Sequence, residues 1–198
     1  MSTEPSAQHA EMTPAKRTTD QIPTNAREQI GERLFNFAIT HIPSHTIRQS
    51  WLRFFGMKIG KNTSIMMGTR VHGIQQLTVG NNCSIGFRCL LDARGELTID
   101  DDVVLASDVH IVAGHHLVNS DDFGRFLSPI HIKHHVWVAS RSTILAGVEL
   151  GVGAVVGACS LVRKDVADME IVAGVPAKHV GVRRSSLDYH PIFRPLMY

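Results

Sequence analysis

Three histidines lie within one short stretch near the middle of the sequence, HIVAGHH, at positions 110, 115 and 116. Imidazole has a pKa close to neutrality, so it can take a proton from an attacking hydroxyl, and it is also a common zinc ligand. The pair His115 and His116 directly precedes VNSDDFGRFLSPIH at 118–131, a segment that contains Asp, Gly and Pro. These residue types leave two chemistries open, general base catalysis and zinc binding.

A hexapeptide repeat follows this segment and defines the fold. From 132 to 166 an aliphatic residue returns every six positions, and a second, mostly small residue follows each one after four positions. A period of six fits neither an α-helix nor a long strand, so each hexad is predicted to be a short strand and a corner, with both residue sets facing inwards. Three hexads close a triangular coil, and stacked coils form an all-β solenoid. The first set is Ile132, Val138, Ile144, Leu150, Val156 and Val162, and the second is Val136, Ser142, Val148, Ala154, Ser160 and Val166.

The same rhythm begins at Ile59 and continues to Ile111, with two-residue slips at 75–76 and 95–96. It stops at 118–131, so this segment is predicted to protrude as a loop. In this register His115 takes an inward position and His116 an outward one. The predicted solenoid domain spans 58–181, and a C-terminal tail spans 182–198.

The residues before the solenoid divide into two parts. Residues 1–25 are rich in Ser, Thr, Pro and charge and are predicted to be disordered. Residues 26–57 are predicted to form two helices, the second capped by Ser44. These helices are expected to cap the open end of the solenoid, and a basic amphipathic hairpin touching a membrane surface is the other interpretation. The apolar residues at helical spacing are Ile30, Leu34, Phe37, Ala38 and Ile39 in the first helix and Ile47, Trp51, Leu52 and Phe55 in the second.

Composition narrows the class of protein. The 198 residues are 43% hydrophobic but only 6% aromatic, which fits one domain with an aliphatic core. A formal charge of +2 is too small to indicate a nucleic-acid partner. The sequence lacks an apolar run of membrane-spanning length and a signal-peptide core, so a cytoplasmic protein is expected. Cys83 and Cys89 are predicted to be small core residues, with Cys159 near a corner and all three thiols reduced.

From Val103 to Lys178 the sequence resembles the hexapeptide-repeat acyltransferases, and within them the sugar O-acetyltransferases of galactoside, maltose, colanic-acid or capsule type. The motifs that carry the resemblance are AGHHLV at 113–118, IKHHVW at 132–137, GACSLVRKD at 157–165 and AGVPAK at 173–178. The resemblance implies that the solenoid is a left-handed parallel β-helix, here with an N-terminal helical cap and one protruding loop. It also implies a homotrimer with active sites between neighbouring subunits.

The resemblance further implies an acetyl-CoA-dependent O-acetyltransferase that acts on a hydroxyl of a sugar or polysaccharide precursor. It places the catalytic base on His116, with His115 as the alternative, and an oxyanion-binding N–H near Ala139 or Ser140. Trp137 is expected to face outwards beside the loop, at a subunit interface or against a substrate. Asp92 is expected to contact the acceptor, or else to be an ordinary turn aspartate. The implied acetyl-CoA contacts are Ala139, Ser140, Ala158, Lys164 and Lys178, the two lysines facing phosphates.

The sequence also departs from the family pattern. The family's Gly-Asp-Asn corner is replaced by Lys133, His134 and His135. The two histidines are predicted to be turn residues because His tolerates positive φ better than most side chains. The spacing of His110 and His115 is also that of the γ-class carbonic anhydrases, and His72 lies about two coils upstream as a third possible zinc ligand. The inward position of His115 argues against zinc, so no metal is expected. A non-catalytic binding or structural β-helix and, less favoured, a zinc anhydrase remain the alternative functions.

Overall fold

A computed structural model of the chain describes residues 25–195, in which two helices precede a parallel β-solenoid. Apart from Asn25, the segment predicted to be disordered lies outside the described residues. Helix α1 (Ala26–Phe37) and helix α2 (His45–Phe54) are joined through a 3₁₀ turn, Ile39–His41. Asn25 and Ser44 cap them, each accepting a hydrogen bond from a backbone N–H in the first turn.

Three faces of parallel strands, sheets A, B and C, form the solenoid, and the chain visits them in that order. Sheet A contains β1 (Lys58–Ile59), β4 (Leu77–Val79), β7 (Leu97–Ile99), β12 (Ile130–Ile132) and β15 (Glu149–Leu150). Sheet B contains β2 (Ser64–Ile65), β5 (Ser84–Ile85), β8 (Val104–Leu105), β13 (Trp137–Val138), β16 (Val155–Val156), β18 (Glu170–Ala173) and the antiparallel β19 (Lys178–Val182). Sheet C contains β3 (Arg70–His72), β6 (Leu90–Asp92), β9 (His110–Val112), β14 (Thr143–Leu145) and β17 (Leu161–Val162).

The strand register follows the hexapeptide pattern, so the predicted all-β solenoid is confirmed. Ile65 pairs with Ile85 and Ile85 with Leu105, a spacing of twenty residues, whereas Val138 pairs with Val156, a spacing of eighteen. The predicted slips account for the two extra residues in each early coil. Every member of the two repeat sets between 132 and 166 is at most 4% exposed, which places both sets in the core.

One corner of the coil, between sheets A and B, holds non-glycine residues in the left-handed region. Asn62, Asn82, Asp102 and His135 have φ between 55° and 61° and occupy equivalent places in successive coils. Asn and Asp tolerate this conformation because their short side chains can hydrogen-bond locally, and His shares the preference. The predicted turn role of His135 is therefore confirmed.

The helical cap contacts the first coil through polar side chains. Arg48, which is fully buried, donates to the carbonyl of Ile65 at 2.7 Å, and the Gln49 side chain donates to the carbonyl of Thr63 at 2.7 Å. Asn36 of α1 bonds both the N–H and the carbonyl of Val71, at 2.9 and 2.8 Å. These bonds satisfy backbone groups that would otherwise form an open sheet edge, so the helices cap the solenoid as predicted.

The apolar residues at helical spacing divide between the two sides of the cap: Leu52 is buried, and Ile39, Trp51 and Phe55 pack against the core. Ile30, Leu34 and Phe37 of α1 are exposed, and Phe35 is the residue of this helix that is buried in the core. In α2 the buried residues are His45, Arg48, Gln49 and Leu52, whereas Ile47 and Phe54 are exposed. The cap therefore contacts the solenoid through both apolar and polar side chains, and it also presents several large apolar side chains outwards.

The predicted protrusion exists, but it is a hairpin that begins earlier than the sequence suggested. Strand β10 (Gly114–His116) pairs antiparallel with β11 (Arg125–Leu127), and the coil resumes with β12. The inward position predicted for His115 is wrong, because Ala113 is the last buried residue and the chain leaves the coil at Gly114. The N–H of Ser128 donates to the carbonyl of Ala113 at 3.0 Å and closes the hairpin base.

The C-terminal tail has no regular structure but returns along the whole solenoid; we call residues 183–195 the C-terminal strap. Arg183 donates to the carbonyls of His135 and Gly153, at 2.8 and 3.1 Å. Farther along, His190 lies 2.7 Å from Asp102, and the carbonyl of Pro195 accepts a bond from His45 in α2 at 3.1 Å. The strap therefore ties the last coil to the cap.

Candidate active site

His116 is held on the hairpin with one ring nitrogen committed and the other available. Its Nδ1 lies 2.8 Å from the carbonyl oxygen of Phe123, and its ring stacks on the Phe123 ring at 4.4 Å and 9°. A carbonyl can only accept, so Nδ1 carries the hydrogen, and in the neutral ring the lone pair is on Nε2. An exposed Nε2 of fixed orientation is the arrangement that a general base requires.

His115 points to the other side of the hairpin, since successive residues of a strand alternate. Its ring lies 5.0 Å from that of Phe126 in a tilted contact, and it is also exposed. The hairpin turn is ordered by Asp122, which accepts hydrogen bonds from the Gly124 N–H at 2.9 Å and from the Ser120 hydroxyl. This turn carries the Phe123 carbonyl, so the turn fixes the orientation of His116 but not that of His115.

A cleft of about 230 Å³ lies between α1 and the corner that joins sheets C and A; we call it the cap cleft. The hairpin leaves the solenoid at the same corner, because Gly95 packs against the backbone of Ser128 and Ala113 at the hairpin base. One coil nearer the cap, Gly73 packs against the backbone of Ala93. The cap cleft and the His116 hairpin therefore lie along one edge of the solenoid. The cleft is lined by Glu28, Gln29, Glu32, Arg33, Phe55, Gly73, Ile74, Gln75, Gln76 and Arg94.

Two hydrogen-bonded carboxylates, Glu32 and Asp92, organise this edge. Glu32 accepts bonds from His72 at 2.9 Å and from the Gly73 N–H at 2.8 Å; burial opposes its ionisation, but these bonds prevail and lower the Glu32 pKa. Asp92 binds Arg94 through both carboxylate oxygens, at 2.8 Å each, and this bond raises the Arg94 pKa. The Asp92 side chain is only 3% exposed. This geometry favours the turn interpretation of Asp92, which orients Arg94 at the cleft without facing the cleft itself.

Ser140 and Ala158 come together at the corner between sheets B and C. The N–H of Cys159, next to Ala158, donates to the carbonyl of Ser140 at 3.0 Å, so the two segments stack in adjacent coils. The N–H of Ala139 donates to the carbonyl of Val156 at 2.9 Å. An oxyanion role for the Ala139 N–H is therefore corrected, because the ladder of sheet B already uses this donor, and Ser140 remains the candidate.

Lys164 and Lys178 line one cleft of about 310 Å³ at the last coil. The segment before Lys178 is held in place by the Ala177 N–H, which donates to the carbonyl of Leu161 at 2.8 Å. Arg163 lines the same cleft and was missed by the sequence interpretation, although it stands beside Lys164 in the same motif. The cleft is also lined by Asp165 and Glu170, so the three cations leave it a formal excess of one positive charge, which suits phosphate groups.

Trp137 faces outwards from sheet B and is 47% exposed, as predicted. Trp137 was predicted to lie beside the loop, and within one chain this is wrong. The hairpin leaves the coil at the corner between sheets C and A, and strand β12 separates that corner from Trp137 in sheet B. His116 and Ser140 likewise lie at different corners of the coil. One chain therefore holds the candidate base and the candidate cofactor contacts apart.

Across residues 25–195, no three His, Cys, Asp or Glu side chains are grouped in a way that could hold a metal ion. His72 is bound to Glu32, and His115 is on the hairpin instead of in a coil. Cys83 and Cys89 are buried in the core, and burial raises their pKa values to about 11 and about 12. In the same part of the chain, neither helix has the length and apolar character needed to cross a bilayer.

Sequence and structure comparisons identify known proteins that are similar to this chain. WcaF of Escherichia coli K12, an acetyltransferase assigned to colanic acid biosynthesis, is 34% identical over 126 residues, 64% of this chain and 69% of WcaF. A hexapeptide-repeat acetyltransferase from Vibrio cholerae superposes with a TM-score of 0.72 at 19% identity, covering 81% of this chain and 90% of that one. A maltose O-acetyltransferase from Clostridium difficile 630 gives 0.71 at 23% identity, covering 81% and 86%. No family model matches the chain.

The solved structures establish the fold, which is the left-handed parallel β-helix that the resemblance implied. A further structure of the Vibrio cholerae protein contains acetyl-CoA and superposes with a TM-score of 0.63 at 19% identity, covering 81% of this chain and 87% of that one. The similarity to WcaF extends over two thirds of that protein. By fold and by sequence, this chain belongs to the hexapeptide-repeat acyltransferases.

Proposed function

We propose that this protein is an acetyl-CoA-dependent O-acetyltransferase that acetylates a hydroxyl of a sugar or of a polysaccharide precursor. The observation that carries the proposal is the bond between His116 Nδ1 and the Phe123 carbonyl, which leaves Nε2 as an oriented, exposed proton acceptor. A purely structural β-helix has no need of such a base. Neutral imidazole can act at physiological pH without a metal.

In the proposed reaction, the acceptor hydroxyl gives its proton to Nε2 of His116 as its oxygen attacks the carbonyl carbon of acetyl-CoA. The new C–O bond produces a tetrahedral oxyanion, stabilised by a backbone N–H near Ser140. When the intermediate collapses, the C–S bond breaks, and the thiolate of CoA takes the proton back from His116. The products are an acetyl ester and free CoA, with His116 neutral again.

The donor occupies the edge that runs from Ser140 and Ala158 to the last coil. Ala139, Ser140 and Ala158 line the path of the pantetheine arm, since small side chains allow close approach. At the far end, Lys164 and Lys178 together with Arg163 bind the phosphates, because these cations share one cleft.

The active form is a homotrimer with composite sites. The base and the donor contacts lie at different corners of one coil, so a complete site requires the hairpin of one copy to face the Ser140 corner of the next. Exposed Trp137 then contacts the neighbouring subunit or its substrate. The trimer works in the cytoplasm at the inner face of the membrane, which the helical cap contacts.

The test is acetyl transfer to a panel of sugars and oligosaccharides, with free thiol release and mass spectrometry of the products as readouts. The proposal predicts thiol release that depends on the acceptor, a product heavier by one acetyl group, and no effect of chelators. His116→Ala is the matched control for background hydrolysis. Thiol release that is the same with and without every acceptor would contradict the proposal.

A further inference from the structure

The outward side of the helical cap is an apolar surface without a partner in the described part of the chain. Five large side chains form it, each between 45% and 83% exposed, and we call them the outer cap face. Their positions repeat at three, four or seven residues, so each helix presents them on one side. The outer cap face consists of Ile30, Leu34, Phe37, Ile47 and Phe54.

The two helices are locked side by side, which makes the outer cap face continuous. Trp51 donates its indole N–H to the carbonyl of Gly31 at 3.0 Å, and the Phe55 ring packs directly on Gly31, where a side chain would overlap it. Arg27 of α1 lies 5.0 Å from the Phe54 ring of α2. These contacts hold the helices in a fixed arrangement while the opposite sides bind the first coil.

The charge of this region indicates what covers the outer cap face. Residues 26–57, which form the cap, contain four Arg and two Glu, a net charge of +2. Three of these arginines are exposed, whereas Arg48 is buried against the first coil. A second copy docking on this surface would bring two patches of the same sign together, which repulsion opposes. Apolar side chains with basic neighbours such as Arg27, Arg33 and Arg53 suit an anionic lipid surface, where rings enter the interface and cations meet headgroups.

We infer that the outer cap face docks on an anionic bilayer and that the acceptor is a glycan anchored in that bilayer. The choice of acceptor rests on the proposed function. The hairpin leaves the third coil, so its base lies two coil spacings, about 10 Å, below the first coil. The cap adds about one helix diameter, again about 10 Å. His116 is therefore held about 20 Å from the membrane surface.

The cap cleft lies between the outer cap face and the hairpin, along the same edge. Gln75, Gln76 and Arg94 line it with amide and guanidinium groups, which are of the kind that hydrogen-bond to sugar hydroxyls. Glu28 and Arg33 line it from α1. A glycan that rises from the bilayer would pass the cap and follow this polar cleft to Nε2 of His116. The cap thus serves as the part of the enzyme that finds the acceptor.

Docking is tested by flotation of the full chain with vesicles. We expect the protein to float with vesicles of phosphatidylcholine and phosphatidylglycerol, and at least tenfold less with phosphatidylcholine alone. Phe37→Asp should reduce flotation about tenfold or more, because it replaces an inserted ring by an anion. Val180→Asp is the control: it places an aspartate at an exposed apolar residue of strand β19, at the other end of the solenoid, and this variant should float normally. No enrichment on anionic vesicles, or loss of trimer mass instead of flotation in Phe37→Asp, would overturn the docking.

The anchored acceptor is tested with the sugar that the panel identifies, supplied free and as a dialkylglycerol glycoside in the same vesicles. The wild type should acetylate the anchored form about tenfold faster, and Phe37→Asp should lose this preference but keep its rate on the free sugar. Equal rates on both forms in the wild type would refute the anchored acceptor and leave the transferase intact. Acceptor-independent thiol release would refute the proposed function, while flotation would still decide the docking.

Discussion

Replacing His116 by Ala tests the role that the hairpin geometry gives to this residue. The change removes Nε2, the proposed proton acceptor, together with the Nδ1 bond to the Phe123 carbonyl. Removal of a general base lowers turnover by about a hundredfold to ten-thousandfold, which corresponds to about 2.7–5.4 kcal/mol in the activation barrier. The effect on CoA affinity should be small, because His116 is not among the residues proposed to hold the donor.

The structure also limits how much this change affects folding. The His116 side chain is exposed, and it loses its stack on Phe123 and its hydrogen bond to the Phe123 carbonyl, each of a type that contributes about 0.5–1.5 kcal/mol. If the activation barrier rises by more than this range while the unfolding midpoint is unchanged, the lost activity is due to the lost base. If activity and the unfolding midpoint fall together, the hairpin has unfolded.

The assay is release of free thiol from acetyl-CoA with saturating acceptor, together with thermal unfolding of the same samples. His115→Ala is the matched control, since this histidine is the neighbouring residue but faces Phe126 on the other side of the hairpin. His115→Ala should retain at least a tenth of wild-type turnover. An inactive His115→Ala beside an active His116→Ala would refute the assignment of the base.

Four further predictions follow from the packing. Cys159 should react with a thiol reagent in the native protein at pH 7 while Cys83 and Cys89 do not, because burial raises the pKa values of those two thiols to about 11 and about 12; three fast-reacting thiols would contradict this. Arg48→Met should lower the free energy of unfolding in urea by about 1–3 kcal/mol by leaving buried carbonyls unpaired, whereas exposed Arg33→Met should change it by less than about 0.5 kcal/mol. The pKa of Glu32 is lowered, so the stabilisation from its ionised form is present above the ordinary value of 4.5 and is lost as pH falls through the folded-state pKa. The difference in free energy of unfolding between the wild type and Glu32→Gln should therefore shrink in acid. A difference that grows would refute the His72 and Gly73 contacts. Light scattering should give three times the chain mass of 21.8 kDa, and a monomer at micromolar concentration would exclude the composite site.

The solenoid could be predicted from the sequence because its core obeys a strict local rule. Each inward position in a hexad fixes the next, so residues such as Val138 and Val156 reveal the coil without any knowledge of their partners. The early slips were also readable, since they change the spacing from eighteen to twenty residues but keep the phase. A periodic pattern therefore carries most of the information about this architecture.

The cap was predictable as two helices but not in its orientation. Apolar spacing normally marks the side of a helix that faces the core. Here the open end of a β-helix presents carbonyls such as those of Thr63 and Ile65, and these require donors. Gln49 and Arg48 therefore face inwards beside Leu52, while Ile47 and Phe54 face out. That requirement comes from the backbone of another element and is invisible in the helix sequence.

The site was predictable in its residue types but not in its assembly. The GHH motif contains two candidate bases, and the carbonyl that distinguishes them belongs to Phe123, seven residues later, which comes near only when the hairpin closes. The position of Trp137 relative to the hairpin depends on which corner the hairpin leaves. Hexad spacing predicts which residues lie on the sides of the coil and which at its corners. Which residues from different sides and corners come close together is known only from the folded structure.

Acetyl transfer from acetyl-CoA requires that this β-helix binds the cofactor, and calorimetric titration of CoA into the protein measures that binding directly. We expect saturable binding, weakened about tenfold to a hundredfold by combining Lys164→Gln and Lys178→Gln, since each substitution would remove one of the proposed charge-assisted phosphate contacts. His116→Ala should bind CoA as the wild type does. Absence of any binding heat up to millimolar CoA in the wild-type protein would contradict the proposal that it transfers an acetyl group from acetyl-CoA.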